Sequence, residues 1–408
     1  MSSWPERNEE LHQKLHFKPE PLEYKPIPVS KALGEMNSHV NVAIDLGMHS
    51  FLSGERSIAK HMIELEHTLD STAYQILAHV ALTVGGDIDK ALGSIPLYVY
   101  VAGIDKITDS LKDLAYLSLM GYSPSSELYR YFIYLGDVLT SSIDGRLLHG
   151  KSIGWINEEY AVEAIAVLRS GKWILVPDEK LTVLLKDKVY VTGVKENVND
   201  LLTSLGQPPI NGVEPPSSIK SILSDIDSMI DIVKLLNDLV HYQLKAQDPS
   251  MVEEVMEIEM FVDTLRLRVS QNVMECPQFS SKDKFSLLTL VTRLEDITDA
   301  MTYSLTLPAR DIYRDVLSQI VESSCEKVRS FQLSVNVLIS ELQEKLEDVG
   351  ATVIAVKKKG EWVAVTPYNI NRLKASPGDS VLLMFPRTLE EDVQDFMKNY
   401  AKQPSPTP

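Results

Sequence analysis

Apolar residues recur at helical spacing over most of residues 30–147, and the chain returns to that spacing over 217–346. Apolar positions three and four apart place one face of a helix against a core. The spacing predicts helices over 30–53, 55–83, 88–120 and 124–147, then over 217–246, 249–274, 281–306 and 310–346. Gly85, Gly86 and Gly121 punctuate the first set, and the pairs Asp248-Pro249 and Leu307-Pro308 punctuate the second. Breakers at those points leave short connections, which favour antiparallel bundles. After each helical stretch the texture changes to short β-rich runs between turn residues. The runs are Glu163–Leu168, Lys172–Val176 and Lys188–Thr192, and then Thr352–Lys357, Glu361–Val365 and Ser380–Phe385. Each block closes on a short helical pattern, Asn197–Leu205 and Leu389–Met397.

The two stretches also share particular residues at nearly one offset, which is the mark of an internal repeat. Glu66 and Asp70 return 193 residues later as Glu259 and Asp263. Asp105 and Asp109 return 190 later as Glu295 and Asp299. Ile165–Val167 with Gly171–Trp173 returns 189 later as Ile354–Val356 with Gly360–Trp362. The expected organisation is α+β and multidomain: a tail over 1–27, a helical bundle over 28–149, a small α/β domain over 150–206, a Pro/Gly linker over 207–216, a second bundle over 217–337, a second α/β domain over 338–398, and a tail over 399–408. The C-terminal tail and roughly the first 20 residues are expected to be disordered.

The candidate chemistry interrupts the core stripe. Along helix 55–83 one seam reads Ile58, Met62, Leu65, Leu69, Thr72, Ile76, and the adjoining stripe reads Ile63, Glu66, Asp70, Ala73, Leu77. Glu66 and Asp70 therefore share a face that points toward the bundle. On helix 88–120, Asp105 and Asp109 flank the seam Leu97, Val101, Ile104, Thr108, Leu111. If the two helices are antiparallel neighbours, four carboxylates converge, and Glu259, Asp263, Glu295 and Asp299 repeat the set. Half-buried like charges are costly unless protonated, paired or bound to a cation. All-oxygen sites suit hard or borderline cations such as Mg²⁺, Mn²⁺, Ca²⁺ or iron. A solvated acidic groove, or salt bridges to Lys106, Lys112 or Arg293, is the alternative. His61 and His67 lie near the first set, but the second half has no histidine at the matching positions, which favours packing roles.

Composition narrows the function classes. The chain has 408 residues, 40 Lys plus Arg and 57 Asp plus Glu, for a net charge of −17. That balance opposes general nucleic-acid binding and docking on anionic lipid through a basic patch. No run approaches the roughly 18–20 apolar residues of a membrane span, and the N-terminus lacks the pattern of a signal peptide. Cys276 and Cys325 lie in dissimilar contexts, so a reducing, cytoplasmic location is expected. The sequence holds no phosphate-binding loop, no Gly-x-Ser-x-Gly element and no nucleophile–base arrangement, so a non-enzymatic role is expected.

At Ile104–Asp109 and Leu294–Asp299 the chain resembles PhoU proteins, with Glu66/Asp70 and Glu259/Asp263 as the partner motif on the preceding helix. The resemblance implies metal binding by all eight carboxylates. Thr108 and Thr298 stand where that family often has Gly. Leu342–Lys357, Gly360–Ala364 and Pro377–Leu382 resemble the C-terminal domain of RCK (TrkA-C) proteins, cytoplasmic regulators of potassium channels and transporters. The first copy fits less closely, with Leu185–Val191 replacing the usual Gly-Asp turn. The combined order resembles soluble archaeal PhoU–TrkA-C fusion proteins with the unit written twice. It implies two PhoU-like bundles alternating with two RCK_C domains, and a regulator of cation transport, potassium above all. Its partners would be a membrane channel or transporter subunit and a small effector, reached from the cytoplasm. The chain would be a pseudo-dimeric monomer or a homodimer. RCK proteins bind nucleotide on a Rossmann domain that this sequence lacks, so NAD is not expected. A phosphate-uptake regulator, and a metal-binding scaffold without a transporter partner, remain open alternatives.

Overall fold

The computed structural model describes Tyr24, Pro28, and residues 29–246, 248–305 and 326–401. The expected tails fall largely outside the described residues. Three long helices open the described chain: α1 (Val29–Ser53), α2 (Arg56–Val84) and α3 (Ile88–Leu119). Gly85 ends α2 in left-handed backbone at φ 54. Asp87 then caps α3, its side chain accepting from the amides of Asp89 and Lys90, which satisfies donors the helix itself leaves open. The second half repeats this as α8 (Ser217–Ala246), α9 (Pro249–Glu275) and α10 (Ser281–Leu305). Asp248 caps α9 through the amide of Ser250, and Pro249 occupies its first turn, a position where a missing N–H costs nothing.

Between them lie α4 (Ser126–Leu135), β1 (Val138–Asp144), α5 (Gly145–Leu148), α6 (Ile153–Tyr160), β2 (Glu163–Arg169), β3 (Lys172–Leu175), β4 (Lys188–Val194) and α7 (Lys195–Ser204). After α10 the described chain resumes with β5 (Glu326–Gln332), β6 (Val337–Leu338), α11 (Ile339–Glu347), β7 (Thr352–Lys358), β8 (Glu361–Ala364), β9 (Lys374–Ala375), β10 (Ser380–Pro386) and α12 (Glu390–Met397). The two four-stranded antiparallel sheets have one strand order, β1-β4-β2-β3 and β5-β10-β7-β8. Each carries a register shift that skips Ile165 in β2 or Ile354 in β7. The two carbonyls thus freed from the ladder accept from Val176 and Val365.

Two expected helices need correction. Helix 124–147 stops at Leu135, and residues 138–144 form the edge strand β1. Its burial alternates, with Leu139, Ser141 and Ile143 inward, a period of two that a helical window absorbs. Helix 310–346 likewise gives way to β5 over 326–332 and to α11 over 339–347, its earlier part lying outside the described residues. Each sheet therefore takes its first strand from the helical side of the expected limits at 149/150 and 337/338.

The helical stretches do not form two separate bundles. Buried residues of α1–α3 and α8–α10 belong to one continuous core, which also takes in Tyr190, Trp362 and Leu382 from the sheets. The halves join where α3 crosses α10. A Cβ on Gly103 falls 2.9 Å from the Ala300 carbonyl oxygen, so the backbones approach as only glycine allows. Beside this joint, Asn237 Nδ2 donates to Asn41 Oδ1 at 2.8 Å and Lys234 pairs with Asp45 at 2.6 Å, tying α8 to α1. The expected linker is docked rather than loose. Val213 N–H donates to the Arg130 carbonyl at 3.0 Å, Ile210 N–H donates to Asn199 Oδ1 at 2.7 Å, and Gly212 lies against the backbone of Tyr134. The sheet modules also meet: a Cβ on Gly350 falls 3.5 Å from that of Ala161, its counterpart 189 residues earlier.

Candidate metal centres

The core of α2 and α3 places the first acidic set. Ile58, Met62, Leu65 and Leu69 on α2 and Leu97, Val101, Ile104 and Leu111 on α3 are buried, and this turns the adjoining carboxylates into the groove between the helices. Glu66 is only 4% exposed. Lys112 Nζ donates to Glu66 Oε1 and to Asp109 Oδ1, both at 2.5 Å. The other Glu66 oxygen, Oε2, is enclosed and accepts no hydrogen bond, although His67 Nδ1 stands 3.2 Å away. Asp70 faces Asp105 across the groove. Burial first, and then the Asp70 carboxyl, push Asp105 up to about 6. Burial and the neighbouring carboxyls raise Glu66 and Asp70 as well. Lys112 is held protonated, because its bonds to Asp109 and Glu66 outweigh the effect of burial. Ligand atoms of Glu66, His67 and Asp70 lie within 4.8 Å of one another.

The second set has a different balance. Carboxylate oxygens of Glu259, Asp263 and Asp299 lie within 4.8 Å of one another. Glu295 turns toward Arg266, 3.4 Å away, and burial raises its pKa and that of Glu259. Thr302 takes the place of Lys112, 190 residues on. Lys106 of α3 reaches Asp299 from the other half at 3.7 Å. Arg293 spans the same joint, 3.2 Å from Asp113 and 2.7 Å from Asp296.

Helix pairing thus gathers Glu66, Asp70, Asp105 and Asp109 in one groove and Glu259, Asp263, Glu295 and Asp299 in another. The enclosed, unpartnered oxygen of Glu66 and the all-carboxylate trio in the second groove fit a hard cation. The first groove already holds a cation of its own in Lys112, so an added ion there needs a displaced lysine. Thr108 and Thr298, the departures from the glycine pattern, bond back to carbonyls of their own helix and stay out of both sets. His67 went unsingled as a ligand because its counterpart is Met260, yet it stands closer to the first set than His61. His61 turns instead to Glu64, 2.6 Å away, and to the ring of Trp173.

A third acidic group, Asp227 and Asp231 of α8 with Asp137, lies outside the repeated motifs. Asp227 of α8 lies 3.4 Å from the point where Gly136 would carry a Cβ. Burial, with Asp231 and Asp137 nearby, pushes Asp227 up to about 8 against the opposing pull of Lys195 and Lys234. Asp231 and Lys234 share α8 with it, Asp231 one helical turn on, whereas Asp137 lies 90 residues earlier in the chain.

The molecule is thus a mixed α and β protein with two like sheets on one helical body and paired acidic grooves. No helix among the described residues is long and apolar enough to cross a membrane. No protein-family model and no curated protein matches the chain. Among solved structures it is similar to the GsuK RCK domain, at 11% identity and a TM-score of 0.17, with 65% of each chain covered. It is also similar to the GsuK channel, and to that channel bound to NAD, at 11% and 10% identity and a TM-score of 0.17, covering 74% of this chain and 66% of theirs. The chain spans about two thirds or slightly less of the length of these structures. Neither ligand nor activity passes from those structures to this chain.

Proposed function

We propose that this protein is a non-enzymatic regulator of cation transport, potassium above all. In this reading the helical body is PhoU-like and binds divalent or iron-type metal. The sheet modules are RCK_C-like and take a small effector or a channel or transporter subunit. The observation that carries the reading is the pair of sheets with one strand order and one shared register shift, both seated on the helices that bear the acidic grooves. The resemblance of Leu342–Lys357 and Pro377–Leu382 to the RCK C-terminal domain supports it. The contact of Ala161 with Gly350 supports pairing of the two modules within one chain. An effector would act by binding one arrangement of the modules more tightly than another. NAD has no place in this scheme.

Affinity purification of the protein from native membranes, followed by mass spectrometry, tests the partner. A cation-transporter subunit is expected, and deletion is expected to alter potassium or magnesium uptake. Failure of both results overturns the reading. Altered phosphate uptake with cation fluxes untouched would transfer the function to phosphate regulation.

A further inference from the structure

Positions that correspond between the halves, 193 apart in α1/α8 and α2/α9 and 189 apart in the sheets, allow one half to be compared with the other. At the seam of helices and sheet the two differ. In the second half the seam is closed. Glu254 of α9 accepts a hydrogen bond from the Ala364 amide of β8 at 2.6 Å. Trp362 is 3% exposed and its Nε1 donates to Asp248 Oδ2 at 3.0 Å. Phe261 lies edge-on to Tyr368 with ring centres 5.2 Å apart.

Each of those fastenings is missing from the first half. His61 replaces Glu254 and turns to Glu64. Thr68 replaces Phe261, and His39 replaces the buried Ile232. The indole Nε1 of Trp173, in the place of Trp362, has no hydrogen-bond partner. A cleft of about 340 Å³ opens there between α1, α2 and β3, within the roughly 300–1,000 Å³ range of small-molecule sites. Its floor is Ile58, Met62 and Leu65, and its wall is Trp173. Burial lowers the pKa of His39, so that imidazole enters the cleft uncharged near neutral pH. At the mouth, Glu64 is matched by His61 and by Lys60 at 4.0 Å. Lys172 makes no ion pair among the described residues. The mouth therefore favours an anion, where the second half has Glu361 in the same place.

We propose that this cleft binds a small planar aromatic carboxylate, its rings between Trp173 and the aliphatic floor and its carboxylate toward Lys172. The site is separate from both acidic grooves and does not depend on their holding metal. Calorimetric titration of the full chain with 2-naphthoate tests it, with uncharged 2-naphthamide as the comparison. One site per chain is expected for 2-naphthoate, with weaker binding of the amide. Thr68→Phe and Lys172→Glu introduce the residues of the closed half at exposed positions, and circular dichroism checks that both variants stay folded. Each is expected to weaken 2-naphthoate at least tenfold. Absence of binding to the wild type overturns the proposal, as does binding that either variant leaves unchanged.

Discussion

Lys112 and Thr302 occupy corresponding positions, and that difference separates the chemistry of the two acidic grooves. In the first, an ammonium supplies the positive charge that the carboxylates require. Lys112→Met strips the buried Glu66 of its ion pair, which costs up to about 3–5 kcal/mol on the scale of broken buried pairs and less where Glu66 takes up a proton. Urea unfolding should register that loss, and added Mn²⁺ should restore part of it. In the second groove the lysine contact is longer, Lys106 to Asp299 at 3.7 Å. Elemental analysis of the purified protein should show metal that drops on Asp299→Asn and falls little on Asp109→Asn. Metal-free wild type that is indifferent to EDTA would refute the metal reading. The raised pKa of Asp105 sets a pH dependence with a definite sign. Its folded value of about 6 lies above the ordinary 3.8, so the folded state holds the proton more tightly. The stabilisation is complete below pH 3.8 and is lost as pH rises through 6. Asp105→Asn should flatten the stability profile between those values, measured by thermal unfolding across pH. The grooves were legible in the sequence because their spacing within each helix is a matter of helical period. Lys112 was legible only as one of several nearby cations, since spacing does not say which of them turns inward.

At the scale of elements, apolar period carried most of the information. The long helices and the six strands β2, β3, β4, β7, β8 and β10 appear where the spacing places them, within a few residues. The misplaced elements are β1 and β5, both joined in sequence to helical stretches. Val138–Asp144 contains enough apolar residues to continue a helix, and only its pairing with β4, such as Thr140 with Thr192, makes it a strand. That partner lies across the whole module, beyond the reach of local pattern. The α3–α10 crossing was equally hidden, because Gly103 and Ser304 are small and leave no hydrophobic signature. Gly103→Val should cost about 1–3 kcal/mol by overpacking and lower the urea midpoint. An equal substitution at Gly86, which meets nothing within 4 Å of its Cβ position but sits at φ 86, should act only through local backbone strain, leaving the contacts between halves intact.

For the whole molecule, the repeat was evident from three motifs at nearly one offset, yet it suggested two bodies where the core is one. Tyr100, Ile104 and Ile107 of α3 line one small cavity at the joint together with Met301 of α10. A chain ending at residue 216 would expose that apolar face. Sedimentation of residues 1–216 should show association or aggregation in place of a monomer, whereas the full chain should sediment as a monomer of 45.7 kDa.

The docked segment around Gly212 has a wider consequence. A tether this short holds each half near the other at an effective concentration on the order of millimolar, so their union survives dilution that would separate two free chains. A symmetric dimer carries every substitution twice, once on each side of its axis. Here a change such as His61 opposite Glu254, or Lys112 opposite Thr302, appears on one side only. The joined chain can therefore keep one flank closed and structural while the other is free to acquire a ligand.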